Sequence, residues 1–254
     1  MRFDTVVISD LHLGAPNSRS DDLLEFLECV RTPRLIVAGD LFEFPDLRKL
    51  RERDLRVLDA LRIFARNGEL TLIKGNHDPD LRYWRAVLGL TPASEVEVKV
   101  GDKKYLVCHG DVWDDAMKYP SWLIWAADQV YLNVQRMDQS HTLARRLKKE
   151  CKFFTGSVEM LRRRAGAHAR ERGADGVILG HTHVVCSTHE DGVHYLNTGC
   201  WTENPASFVG IHDGVAVGYH WKVQDSKTIS DRDVFPKTAR FRAYDEPEVG
   251  LQRA

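Results

Sequence analysis

Short apolar runs alternate with longer amphipathic stretches over the first hundred residues of the chain. The segments TVVIS, RLIVAG and LTLIKG have the short uninterrupted apolar runs that are typical of buried strands. Between the first two lies SDDLLEFLECV, whose apolar residues share one helical face and whose Ser20 is expected to cap the helix. Residues 47–68 show a second helical stripe, and Gly68 is expected to stop that helix. This β-α-β-α-β order predicts an α/β fold with a mainly parallel core sheet and helices outside it.

Three later segments have the pattern of β-hairpins. EVEVKVGDKKYLVCHGD is predicted to turn at Gly101-Asp102, and HVVCSTHEDGVHYLNTG and SFVGIHDGVAVGYHW contain Asp-Gly turns. We therefore expect the late part of the chain to be antiparallel. The polar tail after Trp221 is expected to pack on the body of the protein.

Residues 113–158 interrupt these strand patterns and have helical patterns instead. We interpret them as a helical insertion, or cap, in a core made of residues 1–112 and 159–254. The aromatic residues of this region form either the core of the insertion or an acyl-chain cleft; they include Trp122, Trp125, Phe153 and Phe154. From Thr142 to Arg172, ten Lys/Arg face three Asp/Glu. This surplus indicates a solvated helical face or, alternatively, a contact with anionic lipid or a diphosphate.

Composition narrows the functional class only a little. The chain of 254 residues is 43% hydrophobic and 29% charged, which is ordinary for a soluble globular protein. A net charge of -1 gives no general attraction to nucleic acid, so no nucleic-acid partner is expected. Five scattered cysteines without a C-x-x-C pattern indicate a reducing compartment. Because no signal peptide is visible, we expect a cytoplasmic protein, with peripheral contact at the inner face of a membrane as a further hypothesis.

Polar residues of the same few types follow five of the predicted strands. In such α/β cores, ligands gather beyond the carboxyl ends of the strands. The candidate metal ligands at these positions are Asp10, His12, Asp40, Asn76, His109, His181 and His183. This set of carboxylates, imidazoles and one amide suits Mn²⁺ or Fe, with Zn²⁺ as an alternative. Since seven ligands exceed the need of one ion, we expect two divalent ions that share one carboxylate, with Asp40 as the bridging candidate.

Several other residues of ligand-forming types are expected to have structural roles. Six histidines do not belong to the polar segments that follow the predicted strands. They are expected at the surface or in packing roles: His141, His168, His189, His194, His212 and His220. Cys108 and Cys200 flank the polar turns, but no base is paired with them in the sequence. Buried apolar roles are therefore expected for both cysteines.

The ordered set D-x-H, GD, GNHD, HGD and GHTH resembles that of the calcineurin-like metallophosphoesterases. This resemblance implies a four-layer αββα sandwich, here with a helical insertion. It also implies one ion bound by Asp10, His12 and His183. The second ion would be bound by Asn76, His109 and His181, with Asp40 between the two ions.

The resemblance also implies a mechanism. Two cations lower the pKa of a bound water and clamp the phosphoryl oxygens, and the resulting hydroxide attacks phosphorus. Asn76 and His77 would contact the phosphate, and His77 would hydrogen-bond or protonate the leaving oxygen. Asp78 would fix the tautomer of His77. Asp111 would contact the metal ligands and orient them without binding a metal itself.

A closer resemblance is to the UDP-2,3-diacylglucosamine hydrolases of lipid A synthesis and their paralogues. It rests on SDLHLG, GDLFEF, the insertion after HGD, and YLNTGCWTENPASFVGI. Those enzymes cut a sugar-nucleotide pyrophosphate bond and release UMP and an acylated sugar phosphate. Their best-defined members carry Arg in the third motif, where this chain has His77, the residue of general phosphoesterases. The open alternatives are a general phosphodiesterase or nucleotide phosphatase and, outside enzymes, a binding scaffold on the same fold. The sequence leaves the oligomeric state open.

Overall fold

The computed structural model describes residues 2–43, 47–79, 84, 88–114, 152–221 and 241–243. Its strands in chain order are β1 (Thr5–Ile8), β2 (Arg34–Ala38), β3 (Glu69–Ile73), β4 (Glu95–Val100), β5 (Lys103–Cys108), β6 (Gly176–Leu179), β7 (Cys186–Glu190), β8 (Val193–Asn197), β9 (Ala206–His212), β10 (Val215–Trp221) and β11 (Phe241–Ala243). Its helices are α1 (Ser20–Cys29), α2 (Glu52–Asn67) and α3 (Lys152–Glu171), with short 3₁₀ turns at Leu47–Lys49 and Asp111–Trp113.

The strands form two sheets. The first has the order β11-β10-β9-β1-β2-β3, and the second has the order β4-β5-β6-β8-β7. In the first sheet β1, β2 and β3 are parallel, as predicted, and β9 joins β1 antiparallel. The hairpin at Gly101-Asp102 and the two later Asp-Gly hairpins are confirmed.

The prediction that the late chain is wholly antiparallel is wrong for β6. This strand pairs parallel with both β5 and β8. The chain returns to the second sheet through α3, and a helical crossover brings the next strand in parallel to the one before it.

Three hydrophobic layers hold the sheets and helices together. Between the sheets, Val7 and Ile36 of the first pack with Val107 and Ile178 of the second. The outer face of the first sheet is covered by α1 and α2, and that of the second sheet is covered by α3. The predicted four-layer αββα architecture is therefore confirmed.

The helix boundaries differ from the sequence pattern in two places. Ser20 does not cap α1, because Arg19 occupies the cap position and the Ser20 hydroxyl donates a hydrogen bond to Asp54 of α2 instead. The second predicted helix is divided into a 3₁₀ turn and α2, which ends before Gly68 as predicted. Among the described helices, none is long and apolar enough to cross a bilayer.

The insertion lies largely outside the described residues, which omit 115–151. Helix α3 is continuous through residues 158 and 159, where the sequence pattern separates insertion from core. Of the polar tail, β11 pairs with β10, so the expectation that the tail packs on the body holds for these three residues.

Candidate metal centre

The polar turns after β1, β2, β3, β5 and β6 meet at one edge of the sandwich. Backbone hydrogen bonds join them: Asp10 N donates to the Gly39 carbonyl at 3.1 Å, and His12 N donates to the Asp40 carbonyl at 3.0 Å. Across the sheets, His181 N donates to Asp10 Oδ2 at 3.0 Å. The stacking of the two sheets therefore brings side chains from distant parts of the chain to one place.

Five of the seven predicted ligands have left-handed backbone conformations. Their φ values lie between 46° and 65°; the residues are Asp10, His12, Asp40, His181 and His183. This region costs a non-glycine residue roughly 1–2 kcal/mol. Strain of this kind clusters at functional sites, where the surrounding structure imposes it. Its concentration on these side chains supports a functional interpretation of the turns.

Glycines next to the ligands allow their close approach. A Cβ added at Gly39 would lie 2.3 Å from His109 Nδ1, and one added at Gly75 would lie 2.1 Å from Asp40 Oδ1. Either atom would overlap a ligand side chain, and Gly39 also has a φ of 92°. The glycines of the GD and GNHD motifs are therefore required by the site and not only by the turns.

Three of the predicted ligands form a first cluster, which we call group A: Asp10, His12 and His183. Their ligand atoms lie within 4.8 Å of one another. His183 Nε2 is 3.1 Å from Asp10 Oδ1 and 3.2 Å from His12 Nε2. The three ligand atoms therefore face a common point.

The other four form a second cluster, which we call group B: Asp40, Asn76, His109 and His181. His109 Nε2 lies 3.2 Å from Asp40 Oδ2 and 3.1 Å from Asn76 Oδ1. Asn76 Oδ1 lies 3.0 Å from His181 Nδ1. The same Oδ2 of Asp40 is 3.8 Å from His12 Nε2 of group A, so Asp40 stands between the groups, where a bridging ligand belongs.

The outer nitrogen of each of three histidines has an acceptor of its own. His12 Nδ1 donates to Glu43 at 2.6 Å, and His181 Nε2 donates to Asp114 at 2.9 Å. His109 Nδ1 donates to the Ala38 carbonyl at 2.9 Å. Such acceptors fix the tautomer and orientation of metal-binding histidines. In the neutral tautomer fixed in this way, the other ring nitrogen carries the lone pair and faces its group.

Glu43 and Asp114 were not predicted from the sequence. Glu43 lies within GDLFEF, and Asp114 follows shortly after HGD, so both are close in sequence to motif residues. Proximity to a motif was the available signal, but it does not distinguish these carboxylates from their neighbours. The neighbouring Asp111 influences the site through its charge, which contributes to raising the pKa of His109.

The predicted partnership between Asp78 and His77 is wrong. The two carboxyl oxygens of Asp78 accept hydrogen bonds from the backbone N–H groups of Phe42, at 3.0 Å, and Gly75, at 2.9 Å. The carboxylate beside the His77 ring is that of Glu43, 3.5 Å from Nδ1. Asp78 therefore links the turn after β3 to the segment after β2, and Glu43 is a carboxylate next to the His77 ring. The backbone N–H of His77 donates to Asp40 at 2.8 Å, which places His77 beside both groups.

Charge pairing dominates the electrostatics of the site. Burial acts to lower the pKa of His109, but the charge and hydrogen bond of Asp40, together with the charges of Asp10 and Asp111, outweigh it and raise that pKa to about 10. Burial acts to raise the pKa of Glu43, but hydrogen bonds from His12 and His77 lower it to about 2. Burial, followed by the charge of Asp40, raises the pKa of Asp78 to about 7.

The residues present fit two divalent cations. Groups A and B each bring carboxylate and imidazole ligand atoms within 4.8 Å of one another, and the amide oxygen of Asn76 joins group B. Buried carboxylates that carry charge need compensating positive charge. Without a cation, protonated histidines supply it, so binding of metal displaces protons.

Comparison with known proteins identifies the family. The calcineurin-like phosphoesterase superfamily domain matches residues 3–213. The chain belongs to this superfamily, which uses dinuclear centres of divalent metals. Among curated proteins, none matches the sequence.

The chain is similar to several solved structures at low sequence identity. A Vps29 double mutant from Entamoeba histolytica is 18% identical, with 95% of this chain and 98% of that chain covered and a TM-score of 0.50. The phosphoesterase YfcE from E. coli is 16% identical, with 84% and 90% covered and a TM-score of 0.49. Vacuolar protein sorting 29 from Cryptosporidium parvum is 16% identical, with 95% and 97% covered and a TM-score of 0.49. These likenesses concern the fold alone.

Proposed function

We propose that the protein is a two-metal phosphohydrolase that cleaves a pyrophosphate or phosphodiester bond. The observation that supports this most directly is the arrangement of groups A and B on either side of Asp40, with His77 beside them. Oxygen and nitrogen ligands of this kind favour Mn²⁺, with Fe or Zn²⁺ as alternatives. When bound, two such ions supply the Lewis acidity that activates water and neutralises charge on the phosphoryl oxygens.

His77 is the candidate for protonating the leaving oxygen. Its side chain is 33% exposed, so substrate can reach it. Glu43 is ionised at neutral pH and engages Nδ1, which assigns the Nε2 edge of the ring to the substrate. The Asn76 amide oxygen faces group B, and its amide N–H₂ would donate to a phosphoryl oxygen. These two residues bind and orient the phosphate in this proposal.

For the substrate, we propose UDP-2,3-diacylglucosamine or a close lipid-linked sugar nucleotide. The support is the resemblance of the sequence motifs and the position of the insertion directly after Asp111, where it would lie next to the site. The insertion combines aromatic residues with a basic stretch that contains Arg145, Arg146, Lys148 and Lys149, all outside the described residues. Apolar surface beside positive charge suits acyl chains and a diphosphate.

The described arginines of α3 contribute less to anion binding than their number indicates. Arg162 and Arg163 form ion pairs with Glu159, and Arg172 lies 3.4 Å from Glu95. The proposed contact with anionic lipid, and with it the peripheral location at the inner face of a membrane, therefore depends on residues 145–149. Exposed pairs of this kind contribute little to stability but do reduce the local positive charge.

The second candidate is a general phosphodiesterase or nucleotide phosphatase. His77 favours this alternative, because the lipid-linked group has Arg in the corresponding motif. A binding scaffold on the same fold is the non-enzyme alternative. The convergence of seven ligands, with Glu43 and Asp114 behind two of them, speaks against a scaffold, because a binding surface does not require this buried arrangement.

A substrate comparison separates these candidates. The rate of hydrolysis of UDP-2,3-diacylglucosamine is measured against that of the unacylated UDP-sugar, under identical Mn²⁺ and detergent conditions, with Asp40→Ala as the inactive control. Buried methylenes contribute about 0.8 kcal/mol each, so even partial burial of the chains should raise kcat/KM by orders of magnitude. Equal kcat/KM values would favour the general phosphodiesterase. Absence of hydrolysis with every phosphoester tested would favour the scaffold.

A further inference from the structure

A second group of metal-ligating side chains lies beside group A. His183, Cys200 and Glu203 each offer a ligand atom, and these atoms lie within 4.8 Å of one another. Cys200 follows β8, whereas His183 follows β6, so the two residues meet only because these strands are neighbours in the second sheet. The buried apolar role expected for Cys200 is therefore incomplete, since a base and a carboxylate lie within reach of its sulfur.

The chemistry of this cluster differs from that of groups A and B. Thiolate, imidazole and carboxylate together are a ligand set typical of Zn²⁺ sites, and three protein ligands leave one coordination position for water. A thiolate ligand selects softer cations, whereas Mn²⁺ prefers oxygen. The hydroxyl of Thr202 donates a hydrogen bond to Cys200 Sγ at 3.3 Å, and such a donor favours the thiolate that binds metal.

The cluster is both anchored and accessible. The loop that bears Cys200 is anchored by two backbone hydrogen bonds of the next residue, Trp201. Trp201 N donates to the Asp10 carbonyl, and Arg19 N donates to the Trp201 carbonyl, both at 3.0 Å. Glu203 and Thr202 are among the residues that line a surface cavity of about 340 Å³. Cys200 itself is only 3% exposed. Of these two ligands, Glu203 therefore lies at the cavity and Cys200 lies buried.

We propose that His183, Cys200 and Glu203 form a third cation site that is selective for Zn²⁺ over Mn²⁺. On binding, the Cys200 thiol gives its proton to solvent and the sulfur forms the bond to the metal. A neutral imidazole has one lone pair, so His183 serves either group A or this site. Zinc at the third site therefore removes His183 from group A and inhibits hydrolysis. That last consequence rests on the proposed function, whereas the binding itself does not.

Cadmium provides a spectroscopic probe, because a bond between Cd²⁺ and thiolate gives an ultraviolet charge-transfer band. The full chain, saturated with Mn²⁺, is titrated with Cd²⁺. We expect a band that saturates at one Cd²⁺ per chain and is lost in Cys200→Ser. Cys108→Ser and Cys186→Ser are the matched controls and should keep the band. A wild-type protein without the band, or a Cys200→Ser variant that retains it, would overturn the proposal.

Glu203→Gln is the second variant, because Glu203 lies at the cavity and its substitution does not disturb the buried core. Loss of its charge should weaken Cd²⁺ binding about tenfold or more, with the band still present. If Cys200→Ser fails to fold by circular dichroism, this variant decides the matter. Unchanged Cd²⁺ affinity in Glu203→Gln would then contradict the site.

Inhibition of hydrolysis separates this proposal from the proposed function. Excess Zn²⁺ added to Mn²⁺-loaded protein should inhibit cleavage of a simple phosphodiester, and Glu203→Gln should need about tenfold more Zn²⁺ for the same inhibition. If every variant lacks hydrolysis, the proposed function fails and the cadmium band still tests the site. Equal zinc sensitivity in wild type and Glu203→Gln would refute the competition for His183.

Discussion

Two buried histidines of this protein, one in the metal centre and one on the second sheet, have opposite acid–base behaviour. His109 is 1% exposed and His194 is 8% exposed, and burial acts to lower the pKa of both. His109 faces Asp40, and its pKa rises to about 10. For His194, burial and then the charges of His189 and Lys103 lower the pKa to about 4.

The difference arises from the neighbours. His194 accepts or donates at Tyr105, 2.8 Å away, and at Ser187, 3.1 Å away, and the ring of His189 stacks on it at 4.0 Å. Hydroxyls satisfy a neutral ring but do not favour a charge on it. A histidine beside a buried carboxylate holds a proton that a metal ion can replace. A neighbouring carboxylate, more than burial, therefore distinguishes a histidine that is a candidate metal ligand from one that has a packing role.

A pair of one histidine and one carboxylate does not by itself indicate a metal site, because further ligands must lie close to both. His168, expected in a surface or packing role, lies 2.6 Å from Glu95. The pair links α3 to β4 at the surface of the second sheet. Its ring also packs against Trp113, with centroids 5.2 Å apart, which indicates a structural role.

The largest expected effect comes from removing Asp40, the carboxylate that makes His109 differ from His194. Asp40→Ala should lose most of both bound ions, because Asp40 lies between groups A and B, and hydrolysis should be abolished. In the metal-free variant, the pKa of His109 should fall from about 10, since the charge and hydrogen bond of Asp40 would no longer oppose burial. Elemental analysis and an NMR titration of the imidazoles measure both effects. One tightly bound ion that survives the substitution would contradict the two-metal arrangement.

His77→Ala should produce the next largest effect on rate. General acid assistance contributes about 10²–10⁴-fold, so kcat should fall within that range while metal content stays near normal. The wild-type ring is placed by Glu43 and by the backbone bond to Asp40, and neither contact requires the imidazole to bind metal. Steady-state kinetics with parallel metal analysis provides the measurement. Full activity in the variant would exclude His77 from the mechanism.

The two carboxylates behind the histidines provide a smaller and more specific test. Glu43→Gln should weaken metal binding at group A, and Asp114→Asn should weaken it at group B, each by about 10–100-fold. Asp111→Asn is the matched control, since Asp111 influences His109 through charge, and it should have a weaker effect. Metal affinities measured with a competing chelator distinguish the three variants. Equal effects of Asp111→Asn and Asp114→Asn would show that hydrogen bonding to His181 is unimportant.

The smallest expected effect concerns the other histidine of the comparison. The pKa of His194 is lowered from 6.5 to about 4, so the folded protein favours the neutral ring and the unfolded chain binds the proton first. The folded state with a neutral His194 therefore keeps its full stability above pH 6.5 and loses part of it as the pH falls toward 4. His194→Gln should therefore lose less stability than wild type in that window. We expect a difference of a few degrees in Tm, because 1 kcal/mol corresponds to about 2–4 °C in a chain of this size. Parallel acid-induced losses of Tm in both proteins would contradict the lowered pKa.

Much of the fold was predictable from local patterns. The three Asp-Gly or Gly-Asp turns specify their hairpins because the turn geometry depends on the residues that form it. The parallel arrangement of β1, β2 and β3 followed from the alternation of strands and helices. The parallel pairing of β6 was not predictable in this way, because it depends on how α3 crosses the second sheet.

The sequence by itself determined which side chains follow the strands, since each motif residue directly succeeds an apolar run. Only the tertiary structure decided which groups support them. Glu43 lies 31 residues from His12 and Asp114 lies 67 residues from His181, so no local spacing connects these pairs. The meeting of Cys200 with His183 likewise depends on strand order in the second sheet. Left-handed turns and the stacking of two sheets fix these contacts, and both are properties of the folded chain as a whole.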